Sequence, residues 1–104
     1  LAHQAQACGF DHPADVSEQE LANLTPIASL RIRTPRIAES RIQFECRLHG
    51  VNRYGRSDLV VGEVLLMHAR RGLVNDYKID PVSYAALGRL GGRNYCRIRE
   101  VISV

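Results

Sequence analysis

The sequence has no apolar run long enough to cross a bilayer. The longest stretch, "LVVGEVLLMHA" at residues 59–69, is interrupted by Glu63 and His68, whereas a spanning helix needs about 20 predominantly apolar residues. The opening segment "LAHQAQACGF" has neither the basic start nor the apolar run of a secretory signal. Both absences predict a chain with no membrane partner. The start at Leu1 rather than methionine indicates a fragment or a processed product.

Cysteine is scarce and is not arranged in pairs. Cys8, Cys46 and Cys96 are widely spaced, and no CxxC motif is present. This pattern argues against a disulfide framework and predicts a cytoplasmic location. His3 and His12 flank Cys8 and carry donor atoms that zinc uses, but their spacing matches no closed zinc site. We therefore predict no metal site.

Lysine is almost absent, since Lys78 is the one lysine among 14 basic residues and all the others are arginine. Arginine contacts phosphates and guanine bases well. These arginines are distributed along the whole chain, however, whereas a nucleic-acid interface normally needs them clustered. The net charge of +3 therefore does not predict a nucleic-acid partner.

The length of 104 residues fits one small domain, residues 1–104, and no internal repeat divides it. Residues 1 to about 26 are polar and favour helix, and Ser17 with Glu20 has the spacing of a capping box. Apolar and polar residues then alternate at 28–33 and at 42–49, which predicts strands.

Alternation also predicts which side chains are buried. Ile42, Phe44, Cys46 and Leu48 would face the core, with the intervening polar side chains on the opposite face. A turn at Gly55 leads into residues 59–69, which are apolar on both faces and suit a central strand of a covered sheet.

The last third of the chain predicts a loop or short strand at 73–81, one or two helical turns within 82–90, and a final strand within 95–104. The whole pattern predicts a mainly β protein of four or five strands with short helices at its edges. A barrel is a natural way to close such a sheet.

Two charged side chains stand out in the apolar segment at 59–69. Glu63 must be partnered or have a raised pKa if it is buried, so it is either a site acid or half of an ion pair with an arginine; the ion pair is favoured. His68 shares a face with Val64 and Leu66 near the strand end, which is typical of a satisfied core or rim residue.

The segment "RLGGRNY" at residues 89–95 has two glycines between two arginines. A phosphate-binding P-loop needs GxxxxGK[ST] after a strand, and the segment has neither the lysine nor the hydroxyl. Alone, it indicates a tight turn before a strand.

Three segments together resemble a known family. They are "CGFDHPADVSEQELANLTPIASLRIRTPRIAESRIQFECRL", "LVVGEVLLMHA" and "IDPVSYAALGRLGGRNYCRI". In this order they are similar to the C-terminal half of the flavin reductase-like family, which has the FMN-binding split-barrel fold. The resemblance implies a mainly β, incomplete split β-barrel that begins partway through the domain. It also implies that most contacts to the flavin phosphate and isoalloxazine lie in the N-terminal half.

The resemblance carries further implications for function. Members of the family are homodimers that hold FMN, and many transfer hydride from NADH or NADPH to supply a partner monooxygenase with reduced flavin. Arg89, Gly91, Gly92 and Tyr95 match the closing motif near the flavin pocket, so we expect them to bind the cofactor. Gly62 and Glu63 match the GEV of the family, where a buried, partnered carboxylate is expected.

The family's Gly-Asp-His turn is changed in this chain. The aligned positions are Gly55, Arg56 and Ser57, so the histidine on the nicotinamide side is absent, and the hydride-donor site is rearranged or lost. Two functions stay open: a flavin oxidoreductase domain, or a non-catalytic split-barrel relic or dimerisation module without flavin. No catalytic residue is predicted, because the flavin itself carries the redox chemistry. Open strand edges predict a dimer or larger assembly.

Overall fold

A computed structural model describes all residues, 1–104, and shows a mainly β chain with three short helices. The strands pair in sequence order as four antiparallel two-stranded sheets, β1–β2, β3–β4, β5–β6 and β7–β8. The elements are α1 (Ala2–Ala7), α2 (Glu18–Leu21), β1 (Pro26–Ile27), β2 (Arg36–Ile37), β3 (Ile42–Tyr54), β4 (Ser57–Ala69), β5 (Val74–Asn75), β6 (Lys78–Ile79), α3 (Pro81–Tyr84), β7 (Leu87–Gly91) and β8 (Asn94–Arg97).

The mainly β class with short helices is confirmed, and the barrel is not closed. The chain has eight strands rather than four or five, because residues 26–27, 36–37, 74–75 and 78–79 form two-residue strands that alternation cannot reveal. The final strand is shorter than predicted and ends at Arg97. None of the three helices has the length or the apolar composition that crossing a membrane would require.

The predicted helix cap is confirmed. The Ser17 hydroxyl accepts a hydrogen bond from the Glu20 N–H at 3.3 Å and begins α2. The predicted helical segment is present as the single turn of α3, which begins at Pro81, and Ala85 ends it with a left-handed φ of 48°. The chain then enters β7 at Leu87.

The β3–β4 hairpin dominates the structure, with 13 residues in each strand. The predicted turn is confirmed at Gly55, which has a φ of 61°. Strand β4 has β3 as its single neighbour, so the prediction of a central strand is wrong for this chain.

The predicted burial pattern of β3 is wrong beyond its first residue. Ile42 is buried, but Phe44 is 53% and Leu48 is 63% exposed, whereas the Glu45 side chain on the opposite face is fully buried. The reason is the segment 28–35, which covers the Glu45 face through hydrogen bonds to its carboxylate.

The strand predicted at residues 28–33 is also absent, and the segment is a loop. The backbone N–H groups of Leu30 and Arg31 donate to the carboxylate of Glu45. Because these donors bind a side chain, they are not available for a β ladder, and the Leu30 side chain is 74% exposed.

The apolar core of the chain is small. Only Ala22, Ile42 and Leu73 are buried apolar residues. The radius of gyration is 15.6 Å, whereas a compact domain of this length has a radius of about 13 Å. The long hairpin therefore exposes much of its apolar surface in this chain.

Candidate functional site

The four predicted cofactor residues lie together in the β7–β8 hairpin. Gly92 and Arg93 form the turn, and Gly91 lies opposite Asn94 next to a register irregularity. Gly91 and Gly92 have φ values of 145° and 54°, in the region that glycine tolerates best. The segment is thus a tight turn, as its residues alone predicted.

Arg89 and Tyr95 are directly opposite each other in this hairpin. The Arg89 guanidinium lies 5.9 Å from the centre of the Tyr95 ring and donates to the Gly92 carbonyl at 3.1 Å. The Tyr95 hydroxyl lies 3.2 Å from Oε1 of Gln6 in α1, which ties the hairpin to the first helix.

This hairpin has features that suit a flavin nucleotide. A Cβ added at Gly91 or Gly92 would meet no atom within 4 Å, so a ligand can approach the backbone closely at the turn. Arg89 offers a guanidinium for a phosphate or a ring oxygen, and Tyr95 offers an aromatic surface. The residues present therefore fit one side of a flavin pocket, and their contact with the cofactor stays a prediction.

A second constellation is centred on Glu45, which sequence reasoning did not single out. Its carboxylate accepts hydrogen bonds from the Leu30 N–H at 2.9 Å and the Arg31 N–H at 2.6 Å. His68 Nε2 lies 2.5 Å from Oε1 of Glu45, and Arg36 Nε lies 3.7 Å away. This buried carboxylate thus joins the loop 28–35 to both strands of the long hairpin.

The surroundings of Glu45 keep it ionised. Burial raises the pKa of its carboxyl group, but the hydrogen bonds from Leu30, Arg31 and His68, with the charge of His68, outweigh burial and lower that pKa to about 2. An ionised carboxylate can only accept, so His68 Nε2 is the donor, and Glu45 fixes the orientation of the ring. The prediction of a satisfied rim histidine is confirmed, because the His68 side chain is 21% exposed. The signal for Glu45 was its place in the "FEC" segment of the resemblance.

Glu63 forms the ion pair that the sequence favoured. Its Oε2 accepts from Arg47 Nη2 at 2.6 Å across the two strands. The expectation of burial is wrong in this chain, because 51% of the Glu63 side chain is exposed. Nothing in this pair indicates a site acid.

The remaining candidates do not assemble into a catalytic or metal site. Gly55, Arg56 and Ser57 lie at the exposed tip of the long hairpin. His12 Nε2 lies 2.9 Å from the Ala7 carbonyl, and Cys8 Sγ lies 3.7 Å from that of Glu18. No three His, Cys, Asp or Glu side chains come together in a metal-binding arrangement.

The chain matches one family model over most of its length. The model of the flavin reductase like domain matches residues 2–87. The chain therefore belongs to the flavin reductase-like family, as the resemblance of its three segments predicted. A structural neighbour with a split barrel domain shares its fold.

Curated relatives are identical to this chain at about a third of the aligned positions. An uncharacterised protein of Aquifex aeolicus is 32% identical over 90 residues, which cover 86% of this chain and 46% of that protein. The uncharacterised protein BH2278 of Halalkalibacterium halodurans is 32% identical over 98 residues, covering 88% of this chain and 47% of that protein.

Solved structures match nearly the whole chain. Nitrilotriacetate monooxygenase component B from Bacillus cereus is 30% identical, with a TM-score of 0.88 over 98% of this chain and 54% of that one. The 2-nitrobenzoate 2-nitroreductase NbaA from Pseudomonas fluorescens is 29% identical, with a TM-score of 0.85 over 99% and 52%. A Shewanella frigidimarina protein assigned as a flavin reductase with a split barrel domain shares the fold at 22% identity, with a TM-score of 0.85 over 98% and 53%. The chain thus spans about half the length of the relatives it matches.

Proposed function

We propose that residues 1–104 are the C-terminal portion of a single flavin reductase-like domain that binds FMN and transfers hydride between NAD(P)H and the flavin. The observation that carries the proposal is the similarity to a monooxygenase component B over 98% of the chain at a TM-score of 0.88. A fold alone does not define a function, and here the proposal also has a hairpin whose residues fit a flavin pocket.

In this proposal the β7–β8 hairpin holds one side of the cofactor. Gly91 and Gly92 let the ligand approach the backbone, and Arg89 supplies a positive charge toward the nucleotide. Tyr95, linked to Gln6 at 3.2 Å, keeps the hairpin against α1 and limits the access of water. The bound flavin itself supplies the hydride chemistry, so no side chain of this chain is required as a nucleophile or base.

We further propose a homodimer, with a monooxygenase as its downstream partner. The β3–β4 hairpin supports the assembly, because apolar side chains such as Leu48, Val60 and Val64 are 55–63% exposed. Contiguous apolar surface of this kind marks contact with another polypeptide. Sedimentation of a clean monomer would contradict the dimer.

The three free cysteines suit a reducing compartment, and we place the reaction in the cytoplasm.

Purification of the full-length gene product tests the proposal. We expect a yellow protein that releases FMN on denaturation and oxidises NADH or NADPH. Arg89→Gln should weaken FMN binding at least tenfold. Arg93→Gln is the matched control, since Arg93 lies in the same hairpin with its guanidinium 5.8 Å from the Phe10 ring, and it should leave FMN binding within twofold. A full-length protein that neither copurifies with nor binds FMN or FAD would refute the proposal.

The alternative is a non-catalytic relic or dimerisation module of the same fold. It is favoured by the residues Gly55, Arg56 and Ser57, where the family resemblance places a Gly-Asp-His turn. A stable dimer without flavin and without NAD(P)H oxidation would establish this alternative. A dimer that binds FMN but does not oxidise NAD(P)H would show that the activity is lost at the site that binds the hydride donor.

A further inference from the structure

Two adjoining clefts form a groove at the open end of the long hairpin. They measure about 430 and 280 Å³ and share Ser40, Arg41 and Arg70 in their linings. Arg97 lines the larger cleft, and Arg36 lines the smaller one. We call this feature, lined by Arg36, Arg41, Arg70 and Arg97, the arginine groove.

The cross-strand charges of the hairpin are complementary except at the arginine groove. Arg47 lies opposite Glu63 and Arg53 lies opposite Asp58, with N–O distances of 2.6 and 2.9 Å. The final pair is different, because the Arg70 N–H donates to the Arg41 carbonyl at 2.8 Å and extends the ladder by one residue.

Two arginine residues therefore lie opposite each other across the strands at this end. Like charges directly opposite each other destabilise a sheet. The same hairpin neutralises its other cross-strand arginines with carboxylates, so the Arg41–Arg70 pair calls for an anion from elsewhere.

The chain itself does not neutralise the groove. Arg41 donates to the Ser83 carbonyl at 2.9 Å, and neither Arg70 nor Arg97 has a side-chain hydrogen bond or an ion pair. The one carboxylate in the lining is that of Glu39. Both of its oxygens accept from the Thr25 N–H, at 3.0 and 3.1 Å, and hydrogen bonds with Thr25 lower its pKa.

The charge of the groove can be counted from these contacts. Arg36 belongs to the Glu45 cluster, where it also bonds Gln43 and the Ala28 carbonyl. His68, which also lines the smaller cleft, pairs with Glu45 in the same way. Among the remaining side chains of the lining, three guanidinium groups face the one carboxylate of Glu39, so these four side chains have a net charge of +2.

We propose that the arginine groove binds the phosphate group of a small molecule, with Arg41 and Arg70 as the paired contacts and Arg97 as a third. A phosphate group carries a charge of about −1.5 to −2 at neutral pH, which matches the uncompensated charge. The planar guanidinium fork also suits phosphate oxygens. The larger cleft has apolar and aromatic side chains beside the arginines, namely Ile42, Tyr84 and Leu87, which suits an organic phosphate. The proposal does not depend on flavin binding at the β7–β8 hairpin.

Calorimetric titration of the full-length gene product tests this site, with inorganic pyrophosphate and ADP as separate probes at constant ionic strength. We expect saturable binding that Arg41→Gln and Arg70→Gln each weaken at least tenfold. Arg33→Gln is the control, because it changes the net charge equally on an exposed loop outside both clefts; binding should stay within twofold. Tighter binding of ADP would identify a nucleotide-borne phosphate, and tighter binding of pyrophosphate would identify a free anion.

Two results would overturn the proposal. One is the absence of saturable binding for both probes, and the other is equal weakening by Arg33→Gln, which would reduce the effect to net charge. Thermal melts of Arg70→Gln separate loss of binding from loss of folding. The Arg70 side chain makes no hydrogen bond and faces a like charge, so its replacement should leave Tm unchanged or raise it. A fall in Tm without any anion binding would mean that the protein itself neutralises Arg70.

Discussion

Replacement of Glu45 by glutamine is the sharpest test of the structure around the long hairpin. The substitution keeps the size of the side chain and removes its charge. It leaves the Leu30 and Arg31 N–H groups facing a neutral amide that carries one acceptor oxygen instead of two. The loop 28–35 should then lose its main attachment to β3 and exchange its amide hydrogens faster.

The size of the contribution of Glu45 to folding stability follows from the pKa of its carboxyl group, which is lowered from 4.5 to about 2 in the folded chain. The folded state therefore binds a proton at this site two to three orders of magnitude more weakly than the unfolded state. A carboxylate with a depressed pKa stabilises the fold above its unfolded pKa, near 4.5. That contribution is lost as the pH falls toward 2.

Urea unfolding of the wild type and of Glu45→Gln at several pH values between 2 and 7 measures this contribution. The stability difference should be largest near pH 6–7 and should shrink steadily below pH 4.5. Other carboxylates with lowered pKa values, Glu39 and Asp80, are present in both proteins and cancel in the difference. Glu63→Gln is the matched control, because its exposed ion pair contributes about 1 kcal/mol or less. A difference that does not change with pH, or that is no larger than the control, would refute the role of Glu45.

Two further predictions concern the core and the β7–β8 turn. Ile42→Ala should cost about 2–4 kcal/mol of unfolding free energy because Ile42 is buried. Leu30→Ala, at a loop side chain that is 74% exposed, should stay within about 0.5 kcal/mol; chemical denaturation measures both, and an equal cost would contradict the different burial of the two side chains. Gly92→Ala should cost about 1–2 kcal/mol because Gly92 has a φ of 54°, whereas Gly50→Ala, with no atom within 4 Å of the added Cβ, should be nearly neutral. Similar melting temperatures for the two alanine variants would contradict the left-handed turn.

The sequence predicted the parts of the fold that depend on local pattern. The Ser17 cap, the strand at 42–49 and the Gly55 turn all depend on neighbouring residues. The strand predicted at residues 28–33 does not form, because backbone N–H groups of this segment donate to the distant Glu45 carboxylate rather than to a neighbouring strand. Alternation alone cannot detect a competing side chain that lies 14 or 15 residues away.

In the candidate site, too, the sequence predicts the features that arise within one short segment and misses those that depend on distant residues. The glycines at positions 91 and 92 and the Arg89–Tyr95 pair follow from hairpin geometry within one short segment. Their assignment to a flavin came from the order of three segments along the chain, not from any single motif. Glu45 and the Arg41–Arg70 pair could not be predicted, because both depend on the register between two long strands.

The hairpin has two register irregularities, and the one between Glu45 and Cys46 sets the pairing at its open end. Cys46 lies opposite Val64 and Glu45 lies opposite Leu66, so Leu65 is left without a partner in the ladder. One unpaired residue reverses the faces of every later side chain in β4 relative to β3. If the pairing continued without a bulge from Cys46 and Val64, Met67 rather than His68 would lie opposite Gln43. With it, His68 and Arg70 lie on the face of Glu45 and Arg41. The bulge at Leu65 therefore lets His68 and Arg70 share the face of Glu45 and Arg41. Deletion of Leu65 would join Val64 to Leu66 and keep Glu45 opposite Leu66, so the Glu45–His68 contact, the paired arginines and the Arg47–Glu63 pair should all be retained; loss of the Glu45–His68 contact in this deletion variant would contradict the register.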